Sequence, residues 1–217
     1  MHPWLDISLP IAPESVAWTG LSPPRLSWDA RVDSGAAVNV ARLDCSLHTG
    51  THADAPLHVL ADGTAVDRLD PAIFVGPAFV IRTDDPDSIT VDALRSAGIG
   101  TSAVRGNPPV ERVLIATPRQ YDGVDFPDSI PYLAPAAAAL LADLGVRVIG
   151  VNVPSVDPLD SRSMDAHKIV FAAGMGVVEN LDLRGIEPGW YDLVAAPIRI
   201  AGADAAPVRA LVRAMAR

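Results

Sequence analysis

Twenty prolines are spread through 217 residues, about twice the ~5% usual in globular chains. Proline lacks a backbone donor and clashes with a preceding helical turn, so each one tends to end regular structure. They fall between apolar segments rather than in one tract. The chain is therefore expected to form short elements joined by many ordered loops, with no disordered linker. Apolar residues make up 49% and charged residues 20%, which permits a sizeable core and excludes intrinsic disorder. The length suits one domain spanning 1–217, and no repeat, low-complexity tract or change of composition marks a boundary.

Charge narrows the partners. There are 26 acidic and 17 basic residues, a formal charge of −9. Such a surface repels phosphate backbones and anionic lipid, so neither nucleic acid nor a membrane is expected as a partner. No apolar stretch reaches the ~20 residues that span a bilayer. The most apolar region, 134–153, is interrupted by Asp143 and Arg147. Cysteine occurs once, at Cys45, which rules out an intrachain disulfide and a cysteine zinc cluster. The opening Met1-His2-Pro3-Trp4-Leu5-Asp6 has no basic leader, so a cytoplasmic protein is expected.

Apolar periodicity marks strands at 5–9, 38–47, 78–82, 112–116, 147–153, 176–181 and 193–200. The cleanest is 38–47, where Ala41, Leu43, Cys45 and Leu47 share one face and Arg42, Asp44 and Ser46 the other. Helices are expected at 91–97, 134–144, 164–173 and 207–216, with Thr90 and Ser163 as caps for two of them. Residues 11–35, rich in Pro, Ser, Gly and Trp, read as irregular. Strands outnumber helices and the order mixes them, so the class is α/β or α+β.

The chemistry is concentrated in His48-Thr49-Gly50-Thr51-His52-Ala53-Asp54-Ala55-Pro56-Leu57-His58. Imidazole nitrogen with carboxylate oxygen is the ligand set of zinc and related divalent metals. In a straight strand His52 would lie ~13 Å beyond His48, too far to share an ion. A helix would bring the pair together, but Gly50 and Pro56 oppose one. A strand that turns sharply at Gly50 remains, folding His52 and Asp54 back toward His48. Pro56 holds Ala55 extended, giving a rigid loop. Two histidines alone at this spacing would more often be a surface accident; three with an aspartate after an amphipathic strand favour a metal site.

A second candidate segment is Ser163-Met164-Asp165-Ala166-His167, followed by Glu179 in Val177-Val178-Glu179-Asn180-Leu181. A buried acid is costly unless paired or metal-bound. Glu179 therefore either points outward from an edge strand or acts as a ligand. His2 is given no role.

These segments together resemble the cyclase-like metal hydrolases, and among them the arylformamidases. Leu5-Asp6-Ile7-Ser8-Leu9-Pro10-Ile11, Pro154-Ser155-Val156-Asp157-Pro158 and the 201–209 tail resemble further family segments. The resemblance implies an α/β fold, a mixed β-sheet with a barrel-like core and flanking helices of the cyclase-like swivelling β/β/α type, assembled as a homodimer. It implies two divalent ions per subunit, zinc with manganese as the alternative. His48, His52 and Asp54 would hold one; Asp54 would bridge to a second held by His167, with Glu179 touching both. His58 would stay off the metals as proton donor and acceptor, and Trp18 would contact the substrate ring, although a lone loop Trp often only packs. The implied reaction is hydrolysis of N-formyl-L-kynurenine to L-kynurenine and formate. Another amide hydrolase of the isatin hydrolase kind, and a metal-binding module without turnover, are the competing readings. Asn152 stands where many relatives are expected to carry an aspartate.

Overall fold

The computed structural model describes residues 2–16, 18, 20–101 and 109–215. Thirteen strands are present among them: β1 (Leu5–Asp6), β2 (Arg25–Ala30), β3 (Val40–Asp44), β4 (His52–Asp54), β5 (Val75–Arg82), β6 (Ser88–Ile89), β7 (Arg112–Ala116), β8 (Tyr132–Leu133), β9 (Val148–Val151), β10 (Gly176–Glu179), β11 (Gly189–Val194), β12 (Ala205–Pro207) and β13 (Leu211–Ala214). Three α-helices accompany them: α1 (Val91–Ser96), α2 (Pro135–Asp143) and α3 (Asp165–Ala172). Every element is short, as the prolines require.

Nine strands form one mixed sheet in the order β1-β13-β11-β5-β7-β9-β10-β4-β12, curled into a half-barrel. Its centre, β5-β7-β9-β10, is parallel, and the flanking pairs are antiparallel. Central parallel strands are covered on both faces and so read as continuous apolar runs. Accordingly every residue of β7 and β9 is buried. Val113, Ile115, Ile149 and Val151 pack with Leu141 and Val170 on the helical side. Leu114, Val148, Val178 and Leu193 fill the concave side with Phe74. Gly150 allows this closeness: a Cβ there would lie 2.6 Å from both Leu114 and Leu181.

Four sequence expectations need correction. Residues 25–30, inside the segment expected to be irregular, form β2. The helix expected at 207–216, whose residue 216 lies outside the described residues, is absent over 207–215: Pro207 ends β12 and Leu211–Ala214 form β13. Val208, Ala210 and Val212 are buried in strict alternation, and pairing with β1 and β11 overrides the helix-favouring composition. The strand expected at 193–200 begins earlier and ends at Val194, before Pro197. Ser163 does not cap α3: Met164 occupies the cap in a left-handed conformation, and Ser163 Oγ bonds Asp165 instead. Thr90 does cap α1, accepting from the Ala93 N–H at 3.1 Å.

The strand expected at 38–47 is present as β3, yet it lies outside the main sheet. Among the described residues it pairs only with β2, in a two-stranded ribbon with Leu26 opposite Leu43 and Trp28 opposite Ala41. Those four share one face, and Arg25, Ser27, Arg42 and Asp44 share the other. Every β3 residue is exposed, and Trp28 is 46% exposed. The alternation is genuine, but among the described residues no core lies beneath its apolar face. Among the described residues no helix is long and apolar enough to cross a membrane.

Candidate metal centre

Gly50 makes the turn. Its φ of +67° suits a residue without a Cβ, and a Cβ there would press on Ile11 and the Leu9 carbonyl. The chain reverses and enters β4, inserted between β10 and β12. Period two then points Ala53 into the core and leaves His52 and Asp54 together on the opposite face. Asn180, which ends β10 at φ +60°, donates from Nδ2 to the Gly50 carbonyl at 3.0 Å, locking the turn to that strand.

Glu179 is not on an edge. It is the last residue of β10, between β9 and β4, and is 3% exposed. Its Oε1 accepts from the Val156 N–H at 2.8 Å, which aims the carboxylate at β4. His167 comes from the first turn of α3. Asp157, which sequence reasoning quoted but gave no task, accepts from the Ala166 and His167 N–H groups and from His167 Nδ1 at 2.7 Å. That leaves His167 Nε2 facing the cluster, as His52 Nδ1, donating to the Gly50 carbonyl at 3.0 Å, leaves its own Nε2 free.

Asp54 is the hub. Its Oδ1 lies 3.0 Å from His48 Nδ1 and 3.3 Å from His52 Nε2, and its Oδ2 lies 3.2 Å from His167 Nε2. Glu179 spans the same two sides, Oε2 3.4 Å from His52 Nε2 and Oε1 3.4 Å from His167 Nε2. The structure thus brings His48, His52, Asp54, His167 and Glu179 into one cluster. His58, on the short helical turn after β4, sits beside it, its ring 4.3 Å from that of His48. Ligand atoms of His52, Asp54 and Glu179 lie within 4.8 Å of one another, as do those of His48, Asp54 and His58.

Asp204 is a second residue that the sequence leaves without a role. One of its oxygens lies 3.1 Å from His48 Nε2 and 3.4 Å from His58 Nδ1, orienting both rings from the loop before β12. Its only sequence signal was an aspartate inside the 201–209 tail.

The electrostatics describe buried charges held by one another. For His52 burial opposes charge, but Asp54 and Glu179 outweigh it and hold the imidazole up at about 10. Burial works against ionised Asp54 too, yet the three histidines keep it well below the usual carboxylate range. Glu179 is raised by burial and by Asp54, and lowered further by His167 and His52. His167 is raised by Asp157, Asp54 and Glu179 against the cost of burial. Even so, His52 Nε2 and Asp54 Oδ1 are fully buried and make no hydrogen bond. A divalent cation, taken up by the deprotonated nitrogens and the carboxylates that converge here, would satisfy both atoms.

A cleft of about 200 Å³ opens onto the cluster, lined by His48, His58, His167 and Glu179 on one side and Trp18, Leu21, Pro158 and Leu159 on the other. Trp18 stacks edge-on against Phe126, ring centroids 5.0 Å apart. Asn152 is elsewhere employed: Oδ1 accepts from the Thr117 N–H and hydroxyl, and Nδ2 donates to the Thr117 carbonyl and Gln120. An aspartate could not make the last two bonds, so Asn is the residue this network needs.

The Cyclase family model matches residues 5–158, which include the whole His48 to His58 stretch and Asp157. The chain belongs to the cyclase family. Relatives extend the likeness through His167, Glu179 and Asp204 to nearly the full length. The kynurenine formamidase of Geobacillus thermodenitrificans is 40% identical over 217 residues, covering 99% of each chain. That of Bacillus cytotoxicus is 39% identical over 210 residues, covering 97% of each. Among solved structures, one described as a potential metal-dependent hydrolase with cyclase activity superposes with a TM-score of 0.82 at 26% identity, covering all of both chains. Isatin hydrolase A from Ralstonia solanacearum shares the fold, with a TM-score of 0.76 at 22% identity over 97% of this chain and 91% of its own.

Proposed function

We propose that this cyclase-family protein is a metal-dependent arylformamidase that hydrolyses N-formyl-L-kynurenine to L-kynurenine and formate. The observation that carries the reading is the buried His/Asp/Glu cluster at the floor of a cleft with an aromatic wall. Near-full-length similarity to kynurenine formamidases selects the substrate. His48, His52 and Asp54 would hold one divalent ion, and Asp54 and His167 a second, with Glu179 touching both; both would be zinc, with manganese as the alternative. When bound, such ions act as Lewis acids and lower the pKa of water from 15.7 toward 7.

The chain's own residues do the rest. Trp18 and Leu21 receive the anilide ring, and Pro158 and Leu159 keep water from its other side. The leaving nitrogen is an aniline, a poor leaving group as an anion, so it must be protonated as the C–N bond breaks. His58 stands at the cleft beside the cluster, and its contact with Asp204 through Nδ1 leaves Nε2 to deliver that proton. Asp204 positions His58 and His48 together.

The protein is further read as a cytoplasmic homodimer. A lone two-stranded ribbon is marginal in water, and the apolar face of β2–β3 needs cover. Residues 25–44 carry three arginines and three aspartates, neutral where the whole chain is −9, so two copies meet there with least repulsion.

Turnover of N-formyl-L-kynurenine and of isatin by the metal-loaded protein tests the substrate assignment. Faster hydrolysis of the formamide is expected. Hydrolysis of isatin alone would move the protein to the isatin hydrolases, and inertness toward every N-formyl arylamine would leave a metal-binding module.

A further inference from the structure

Beside the catalytic cleft lies a second, larger one of about 600 Å³, lined by Leu21, Ser22, Pro23, Arg25, Asp44, Cys45 and Ser46. The two are neighbours: Leu21 lines both, and Ser46 Oγ accepts from the His48 N–H at 3.3 Å. Arg25 and Asp44 are the first cross-strand pair of the β2–β3 ribbon and share its polar face. On that face Arg42 and Asp29 close on each other in a two-point ion pair. Arg25 and Asp44, one step nearer the metal centre, make no ion pair and no side-chain hydrogen bond with each other or with any described residue. They present a guanidinium and a carboxylate, side by side and unspent, to open space.

We propose that this cleft receives the amino-acid end of the substrate, with Arg25 binding its α-carboxylate and Asp44 its α-ammonium. The inference rests on the formamidase reading and extends it to the part of the substrate that the metal centre does not touch. A guanidinium fork matches a carboxylate in geometry as well as charge, and a carboxylate is the natural acceptor for an ammonium group. Order along the chain matches order along the substrate. The formyl group meets the cluster at His48, the ring lies against Trp18 and Leu21, and the aminopropanoyl arm passes Leu21 toward Arg25 and Asp44. His48 lies four positions beyond Asp44, at most ~13 Å of extended chain. The ketone arm and the long arginine side chain together bridge that span. The apolar face of the ribbon, which carries Leu26, Trp28 and Leu43, points the other way, so covering it with a second copy leaves this cleft open.

The test removes one charge at a time from both sides of the contact. The Arg25→Met, Asp44→Asn and Arg162→Met variants are assayed as metal-loaded enzymes on three substrates. These are N-formyl-L-kynurenine, its analogue without the amino group, and 2-formamidoacetophenone, which has neither charged group. Arg25→Met should raise KM for the first two substrates, lowering kcat/KM about 10- to 100-fold, with kcat little changed. Asp44→Asn should do so for the first alone. Neither deficit should persist on the uncharged substrate, whose turnover also reports that the variant is folded and loaded. Arg162, exposed on the loop beside the cleft-lining Ser161 and Met164, should matter to none. Equal deficits on all three substrates, no deficit on any, or a deficit from Arg162→Met in place of Arg25→Met would each overturn the assignment. Wild-type enzyme inert toward all three formamides would instead overturn the formamidase reading on which it rests.

Discussion

Leu26, Trp28 and Leu43 stand exposed on the β2–β3 ribbon, whereas His52, Asp54 and Glu179, only a short way along the fold, are buried in the floor of the cleft. Folding ordinarily does the reverse, because apolar area is stabilised by leaving water and ionised groups are destabilised by it. On the reading proposed above, each inversion marks a surface that something outside the single chain would complete. A second copy would cover the ribbon's apolar face, and divalent cations would fill the cleft's cluster. The two differ in rigidity of design. The floor is held by Asp157, Asp204 and the Val156 N–H, which bond the ligands, and by Asn180, which fixes the Gly50 turn, whereas the ribbon is held by its own ladder alone among the described strands. On the proposed reading, charge fixed by its surroundings would serve chemistry, and apolar surface on an exposed ribbon would serve association.

The sharpest way to break this contrast is at the floor. Glu179→Ala and His167→Ala should each reduce metal content below two ions per chain and remove activity with it, read by elemental analysis beside the assay. Full occupancy in both variants would end the two-ion reading.

His58 comes next in size. His58→Ala should keep its metals and lose roughly 10²–10⁴ in kcat on formanilides. The deficit should shrink on a formyl ester of an acidic phenol, whose leaving group needs no proton. Loss of metal would make His58 a ligand, as its place within ligand distance of His48 and Asp54 permits.

The ribbon is tested by Trp28→Glu, which puts a charge on the apolar face. Sedimentation should show monomers in place of dimers, with the metal content unchanged. A wild-type monomer, or a variant that stays dimeric, would remove the second copy from the account.

The smallest effect concerns pH in the metal-free protein. His52 is held up at about 10, above its ordinary 6.5, so its stabilisation is complete below 6.5 and disappears as pH rises toward 10. Asp54 and Glu179 are depressed from 3.8 and 4.5, so theirs is complete above those values and lost as pH falls through the lowered ones. Metal-free Tm should therefore peak between about 4.5 and 6.5 and decline by several degrees toward pH 10. Metal-loaded protein, whose imidazoles are neutral, should lack the alkaline decline. Parallel profiles would show that the cluster is not what the metal completes.

The sequence made the turn at Gly50 legible because only a reversal there reconciles four-residue spacing with neighbours that forbid a helix. The buried strands 112–116 and 148–151 were legible from their unbroken apolar runs. Glu179 stayed ambiguous because a polar residue in an apolar strand reads alike at an edge and in a centre; only pairing with β4 decides. Asp157 and Asp204 act through residues 10 and 156 positions away, and nothing local distinguishes them from surface aspartates. The tail was misread because Val208, Ala210 and Val212 alternate over a span also rich in helix-forming residues. The exposure of β3 was invisible for a different reason: alternation predicts that one face is covered, not which molecule covers it.

The central claim is that the buried cluster is a metal centre performing formamide hydrolysis. One experiment addresses it directly. Purified protein is analysed for divalent metals and assayed on N-formyl-L-kynurenine, then dialysed exhaustively against a strong chelator, reassayed, and reassayed again after zinc is restored. The account predicts about two ions per chain, release of formate and kynurenine in equal amounts, loss of turnover with the metal and its return with zinc. Undiminished turnover by protein shown to be free of metal would contradict it.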